Sequence, residues 1–208
     1  MSSNGVPPAP PAPAATPPVV RRLESEQAKV LVELAGTFED LQMVLQCCER
    51  LVAALAAQHD DVLVESLWTT AMLSYARAFA PDRSSALTEA DLAETSLEGD
   101  LVEWHQMLLR LRDHHADPAI NPREIFSVGV AQDENGAASG VAITSARQPS
   151  VDDLTVRQTG AIAYALSQLV NDRIEALQKE VLAGLEGSTR DDLDELEQLD
   201  VIDPTSGP

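Results

Sequence analysis

The sequence predicts a mainly α protein, a four-helix-type up-down bundle with an inserted β-hairpin and disordered termini. Three observations predict it. Long stretches repeat apolar residues every three or four positions, the spacing of one helix face. Residues 125–146 instead alternate apolar with small or polar residues around Asn135-Gly136, the period of paired strands. Both ends lose either pattern, the first to proline and the last to acidic residues.

The expected layout is a Pro/Ala-rich tail over 1–21, a bundle domain over 22–186 and an acidic tail over 187–208. Seven prolines lie between Pro7 and Pro18 with no charge among them. Proline fixes φ and removes donors, so this is an extended arm, a spacer in preference to a PxxP docking ligand. A first helix follows over about Leu23–Gln58. Its Leu31, Leu34, Phe38, Leu41, Leu45, Cys48, Val52 and Leu55 form a heptad seam. That seam can pair with another chain or pack inside an antiparallel bundle, and the helices that follow favour the second. Asp60 or Asp61 caps a second helix to about Phe79, apolar around most of its circumference and therefore expected to be buried. After a connector over 82–98, in which Thr88 starts a short helix, a third runs from about Gly99 to Ala116 and stops before Pro118.

Counting outward from a two-residue turn at Asn135-Gly136 pairs Val130 with Val141 and Val128 with Ile143, both on one face. The other face holds Gly129, Ala131, Gly140 and Ala142, either solvent surface or a place of close backbone approach. A last long helix spans about Ser150–Leu185, with Val156, Ile162, Leu166, Val170 and Ile174 in its core stripe. In the acidic tail Leu193, Leu196 and Leu199 supply apolar teeth, so the segment either docks on a basic or apolar partner or serves solubility.

Composition bounds the function. Hydrophobic residues are 44% of the 208, enough for a core, and aromatics only 3%, so that core is aliphatic. The formal charge of -20 opposes unaided binding to a phosphate backbone or an anionic membrane surface, since both draw on Lys and Arg. The segment Glu186–Asp203 carries eight acids and one base; residues 21–185 carry 26 acids and 13 bases, so the body is acidic in its own right. No apolar run reaches the length of a membrane span, and the N-terminus lacks a secretory signal, so a cytoplasmic protein is expected. Cys47 and Cys48 are neighbours, point about 100° apart on a helix and are expected as core residues. No phosphate loop, zinc spacing, nucleophile elbow or dinucleotide fingerprint is present, so no metal or cofactor is expected.

The third helix carries the unusual residues. Leu101, Trp104, Leu108 and Leu111 define its apolar face, and His105, Arg112 and His115 fall on that same face. Buried charge is costly unless paired, so Arg112 calls for a carboxylate or carbonyl partner on another helix or another chain. The cluster either caps the helix and laces the bundle together, or carries chemistry.

The run His105-Gln106-Met107-Leu108-Leu109-Arg110-Leu111-Arg112-Asp113-His114-His115-Ala116-Asp117 resembles the signature helix of higher-eukaryote-and-prokaryote-nucleotide-binding (HEPN-like) bundles, in which an Arg followed by a polar residue precedes a His by a few positions. Leu67-Trp68-Thr69-Thr70-Ala71 and Tyr75-Ala76-Arg77-Ala78-Phe79 resemble the helix before it. The resemblance covers roughly 24–183 and implies a helical bundle, a homodimer and, in many members, metal-independent endoribonuclease activity. Under that activity Arg112 stabilises the phosphorane, His115 is the base and Asp113 orients. Asp117 stands at the family's His position, so the motif is degenerate. The leading expectation is therefore a non-catalytic interaction or regulatory protein with a protein partner, a basic one for the tail. Binding would run through His105 on the bundle and the three tail leucines. RNA enters only with the ribonuclease alternative, and the heptad seam leaves a third option, an oligomeric scaffold.

Overall fold

The computed structural model describes residues 19–58 and 61–200. The proline-rich residues 1–18, Asp60 as a capping candidate and residues 201–208 lie outside the described residues, as do the parts of the expected disordered termini that fall on them. The described chain is mainly helical. Strand β1 (Val20–Arg21) precedes helix α1 (Glu26–Ala56), followed by α2 (Asp61–Ala78), the short α3 (Glu89–Glu94) and α4 (Leu101–Ala116). Strands β2 (Glu124–Gln132) and β3 (Ala138–Arg147) come next, then α5 (Asp153–Gly184), α6 (Arg190–Asp194) and β4 (Gln198–Leu199).

Side-chain oxygens set the helix starts by accepting otherwise unpaired backbone N–H groups. Ser25 Oγ accepts from Ala28 N at 3.1 Å, Asp100 Oδ1 from Glu103 N at 2.9 Å and Asp152 Oδ1 from Thr155 N at 2.8 Å. Helix α1 is central, packed by α2 on one side and α5 on the other, with α4 lying on α2. A methyl group added at Gly160, near the start of α5, would meet Cys48 Cβ in the second half of α1 at 3.5 Å. At the other end, β1 before α1 pairs with β4 after α5. The two long helices therefore run antiparallel.

The buried line of α1 departs from the predicted seam. Leu34, Leu41 and Cys48 are buried, while Leu31, Phe38, Leu45, Val52 and Leu55 are half-buried. Thr37, Val44 and Leu51 share the depth instead. Two flanking helices cover a wider arc than a single heptad line, and its centre lies one residue away. The all-round burial expected of α2 is also corrected. Val64, Trp68, Ala71, Met72 and Tyr75 are buried, but Val62, Leu63 and Leu73 are exposed, because only the arc facing α1 and α4 is covered.

The connector between α2 and α4 is pinned by charge. Asp40 on α1, almost buried, receives Arg83 at 3.1 Å and Arg77 at 3.2 Å. Thr88 N donates to Asp91 Oδ2 at 2.6 Å to start α3, and Asp91 also pairs with Arg173 on α5. Leu87 and Leu92 close the core beneath it.

The hairpin register is as counted: Val130 opposes Val141 and Val128 opposes Ile143. The turn is not the expected two-residue one. Asp133 N donates to Ala137 O at 2.8 Å and Gly136 N to Asp133 O at 3.0 Å, which leaves a three-residue loop. Only Gly136 has positive φ, at 81°, and a register irregularity after Ala131 restores the pairing. A two-residue primed turn, I′ or II′, needs positive φ at its first central residue, and Asn135 does not adopt it. Both faces of the hairpin are exposed along most of its length, and it makes no extensive contact with any helix.

Within the expected acidic tail, Asp194 and residues 196–199 fold back on residues 20–22. Val20 pairs with Leu199 and Arg21 with Gln198. Arg21 donates to Leu196 O at 2.9 Å and pairs with Asp194 at 2.7 Å, and Arg22 pairs with Glu197 at 2.8 Å. Two adjacent arginines supply the counter-charge that draws an acidic segment back.

Candidate functional site

The C-terminal end of α4, the N-terminal ends of α2 and α5 and the root of the hairpin line a half-open pocket of about 430 Å³. Its apolar wall is Val64, Trp68, Met107, Leu111 and Val151. Its polar rim includes His115 and the hairpin-root residues Arg123, Glu124 and Arg147. Asn121 shapes the root, its Oδ1 accepting from Arg123 N at 2.9 Å and Glu124 N at 3.1 Å. Gln148 N donates to Arg123 O at 2.8 Å and carries the ladder down to the body.

Both root arginines are tied to α2. Arg123 grips Glu65 with two nitrogens, at 2.9 and 2.8 Å. Arg147 Nη1 lies 2.7 Å from Asp61 Oδ2. These exposed pairs contribute little stability each, up to about 1 kcal/mol. What they do is set the direction in which the hairpin leaves the body.

The residues singled out from the sequence separate. His115 reaches the cavity, and its Nδ1 donates to Leu111 O at 3.0 Å, one helical turn back. Arg112 does not line it. Its Nε sits 2.7 Å from Asp113 Oδ1, so among the described residues its ion-pair partner is its own neighbour, not a carboxylate on another helix. The Arg112 side chain keeps 34% of its exposure at the edge of the bundle, while its Nε is itself buried and makes no hydrogen bond among the described residues. Asp113 faces solvent, and His114 lies on His115 with ring centres 6.0 Å apart.

His105 sits apart from all of these, buried in the interface of α2 and α4. Its Nδ1 is 3.0 Å from Tyr75 Oη, and its ring centre is 4.2 Å from that of Phe79. Burial pushes its pKa below the ordinary value, against the opposing charge of Glu89. In this position it binds the bundle together and has no face for a ligand. Of the tail leucines, Leu196 and Leu199 are half-buried against β1, and Leu193 is the exposed one.

Sequence reasoning passed over Arg123 and Arg147. A signal for them was present: continuing the register count from Val128 and Ile143 brings Glu124 opposite Arg147, at the foot of the hairpin. Comparisons with protein-family models, curated proteins and solved structures find no match for this chain. Among the described residues, no helix is long and apolar enough to cross a membrane.

Proposed function

We propose that this chain is a non-catalytic interaction protein, a HEPN-like helical bundle whose work is to present the β2–β3 hairpin to another protein. One observation carries the reading. Phe126, Val128, Val130, Val141 and Ile143 stand on one face of the hairpin and are all exposed. Apolar patches of several hundred Å² on a folded chain mark places where another surface binds. The bundle below is the rigid mount, and the ion pairs of Arg123 and Arg147 aim the arm. The acidic segment around Leu193 offers a second, weaker contact for a basic partner. The site of action is the cytoplasm, which suits the free, buried thiols of Cys47 and Cys48.

The endoribonuclease alternative receives less support. His115 lies on the cavity, but Arg112 points elsewhere, and the two arginines at the rim are already paired with carboxylates. The test is affinity capture from the native host with the tagged full chain, beside the same chain carrying Val128→Lys and Ile143→Lys. The reading expects a captured protein that is lost with the double variant. Identical capture by both chains, or metal-free RNA cleavage by the purified protein, overturns it.

A further inference from the structure

We infer that the occupant of the hairpin's apolar face is a second copy of this chain, so that the protein is a two-fold dimer closed by hairpin on hairpin; this rests on the reading of the hairpin as an interaction face. Val128 and Ile143 are each 74% exposed, Val141 76%, Val130 66% and Phe126 56%. A two-stranded hairpin alone is marginal in water and needs more strands or a covering layer to hold its shape. Here the helices of its own chain do not provide that layer.

The chain's undescribed segments fit the face poorly. The hairpin root meets the starts of α2 and α5, while β1 and β4 lie beyond the start of α1 and the end of α5. Since α5 has 32 residues, those two ends are separated by roughly 48 Å. Residues 201–208 span at most about 28 Å when fully extended. Residues 1–18 are long enough but hold seven prolines, a composition that docks in aromatic-lined grooves, and Phe126 is the one aromatic of this face.

Charge permits the copy at this face and opposes it elsewhere. At -20, two of these chains repel over most of their surface. No charged residue occurs from Ile125 to Gln132 or from Ala138 to Ala146, so here one copy can approach another without setting acid against acid. A basic partner, by contrast, would gain most on the acidic body. Area agrees. The five side chains expose on the order of 600 Å², so a symmetric pair buries on the order of 1,200 Å², the lower bound of specific interfaces. A two-fold contact is also self-complementary by construction: the row Val128, Val130, Val141, Ile143 meets its own copy. Two such sheets stacked about 10 Å apart make a small two-layer β core.

The experiment is light scattering of the full chain at micromolar concentration, with two variants. Wild type is expected at twice the 22.3 kDa chain mass. Val128→Lys with Ile143→Lys is expected to weaken dimerisation at least a hundredfold and to run as a monomer with unchanged helical circular dichroism. Thr144→Lys, on the opposite face beside Ser127, is expected to remain a dimer. A monomeric wild type, or a dimer that survives the double substitution, overturns the inference. If wild type is monomeric yet captures a foreign protein that the double variant loses, the dimer fails and the interaction reading stands. If that capture is also unaffected, both fail.

Discussion

Tyr75 Oη and His105 Nδ1 lie 3.0 Å apart in the buried seam between α2 and α4. Phe79 packs against the imidazole with its ring tilted by 47°, and both rings of the hydrogen-bonded pair are almost fully enclosed. The bond satisfies two polar groups that would otherwise be stranded in an aliphatic core. Tyr75→Phe leaves one of them unpaired and should cost about 1–2 kcal/mol in urea unfolding.

The same histidine makes stability depend on pH. Burial holds its pKa below the ordinary 6.5, with Glu89 opposing. As pH falls, the unfolded chain therefore binds this proton before the folded one does. The contribution is in place above pH 6.5 and is lost progressively below it. Between about pH 7 and about pH 5, wild type should lose more stability than His105→Gln. Parallel stability curves for the two proteins would show that the ring is not held neutral.

Asp40 accepts two arginines that differ in exposure. The side chain of Arg83 is 24% exposed and that of Arg77 67%. Arg83 also donates to Thr37, so it ties the connector to α1 by two contacts. Arg83→Ala is expected to destabilise by about 2 kcal/mol, and Arg77→Ala by less than about 1 kcal/mol. Equal costs in thermal or urea unfolding would contradict this ranking.

Asp91 governs the behaviour in acid. Burial acts to raise its pKa, but Arg173 and the hydrogen bonds from Thr88 together outweigh it and hold the carboxyl below 3.8. A depressed carboxylate stabilises the fold above its unfolded value, and that stability goes as pH falls through the lower folded value. Arg173→Ala should therefore move acid unfolding to higher pH and cost about 1–2 kcal/mol at neutral pH. An unchanged acid midpoint would remove Arg173 from this role.

Cys48 and Gly160 meet where α1 and α5 cross. Burial, with a smaller effect from Cys47, pushes the Cys48 thiol up to about 12, and burial raises Cys47 as well. Both thiols should resist an aromatic disulfide reagent in the native protein and react on unfolding. A methyl group at Gly160 would sit 3.5 Å from Cys48 Cβ, an ordinary contact. Gly160→Ala should thus stabilise α5 by up to about 1 kcal/mol, and a lower melting temperature would contradict that packing.

Much of the fold was legible because its elements are locally encoded. Ser25, Asp100 and Asp152 start helices through contacts three residues away. The hairpin register follows from alternation alone, which is why Val128 and Ile143 were paired correctly. The candidate site was less legible. His105, Arg112 and His115 share one face of α4, yet that face meets a core at His105, a bundle edge at Arg112 and a cavity at His115. Helical spacing places residues on a face; it does not say what lies opposite each turn of it.

By itself the sequence determined the helices, the strand pairing and the concentration of acid at the C-terminal end, because periodicity, capping and charge act over a few residues. Tertiary structure alone decided which arc of α1 is deepest, since two neighbours, and not one, cover it. It decided that residues 190–199 close on Val20–Arg21, a contact between segments some 175 positions apart that no local pattern announces. It also decided that the valine face of the hairpin is left open. Apolar alternation says that one face of a strand pair seeks cover, while only the placement of the helices shows that the described residues do not supply it.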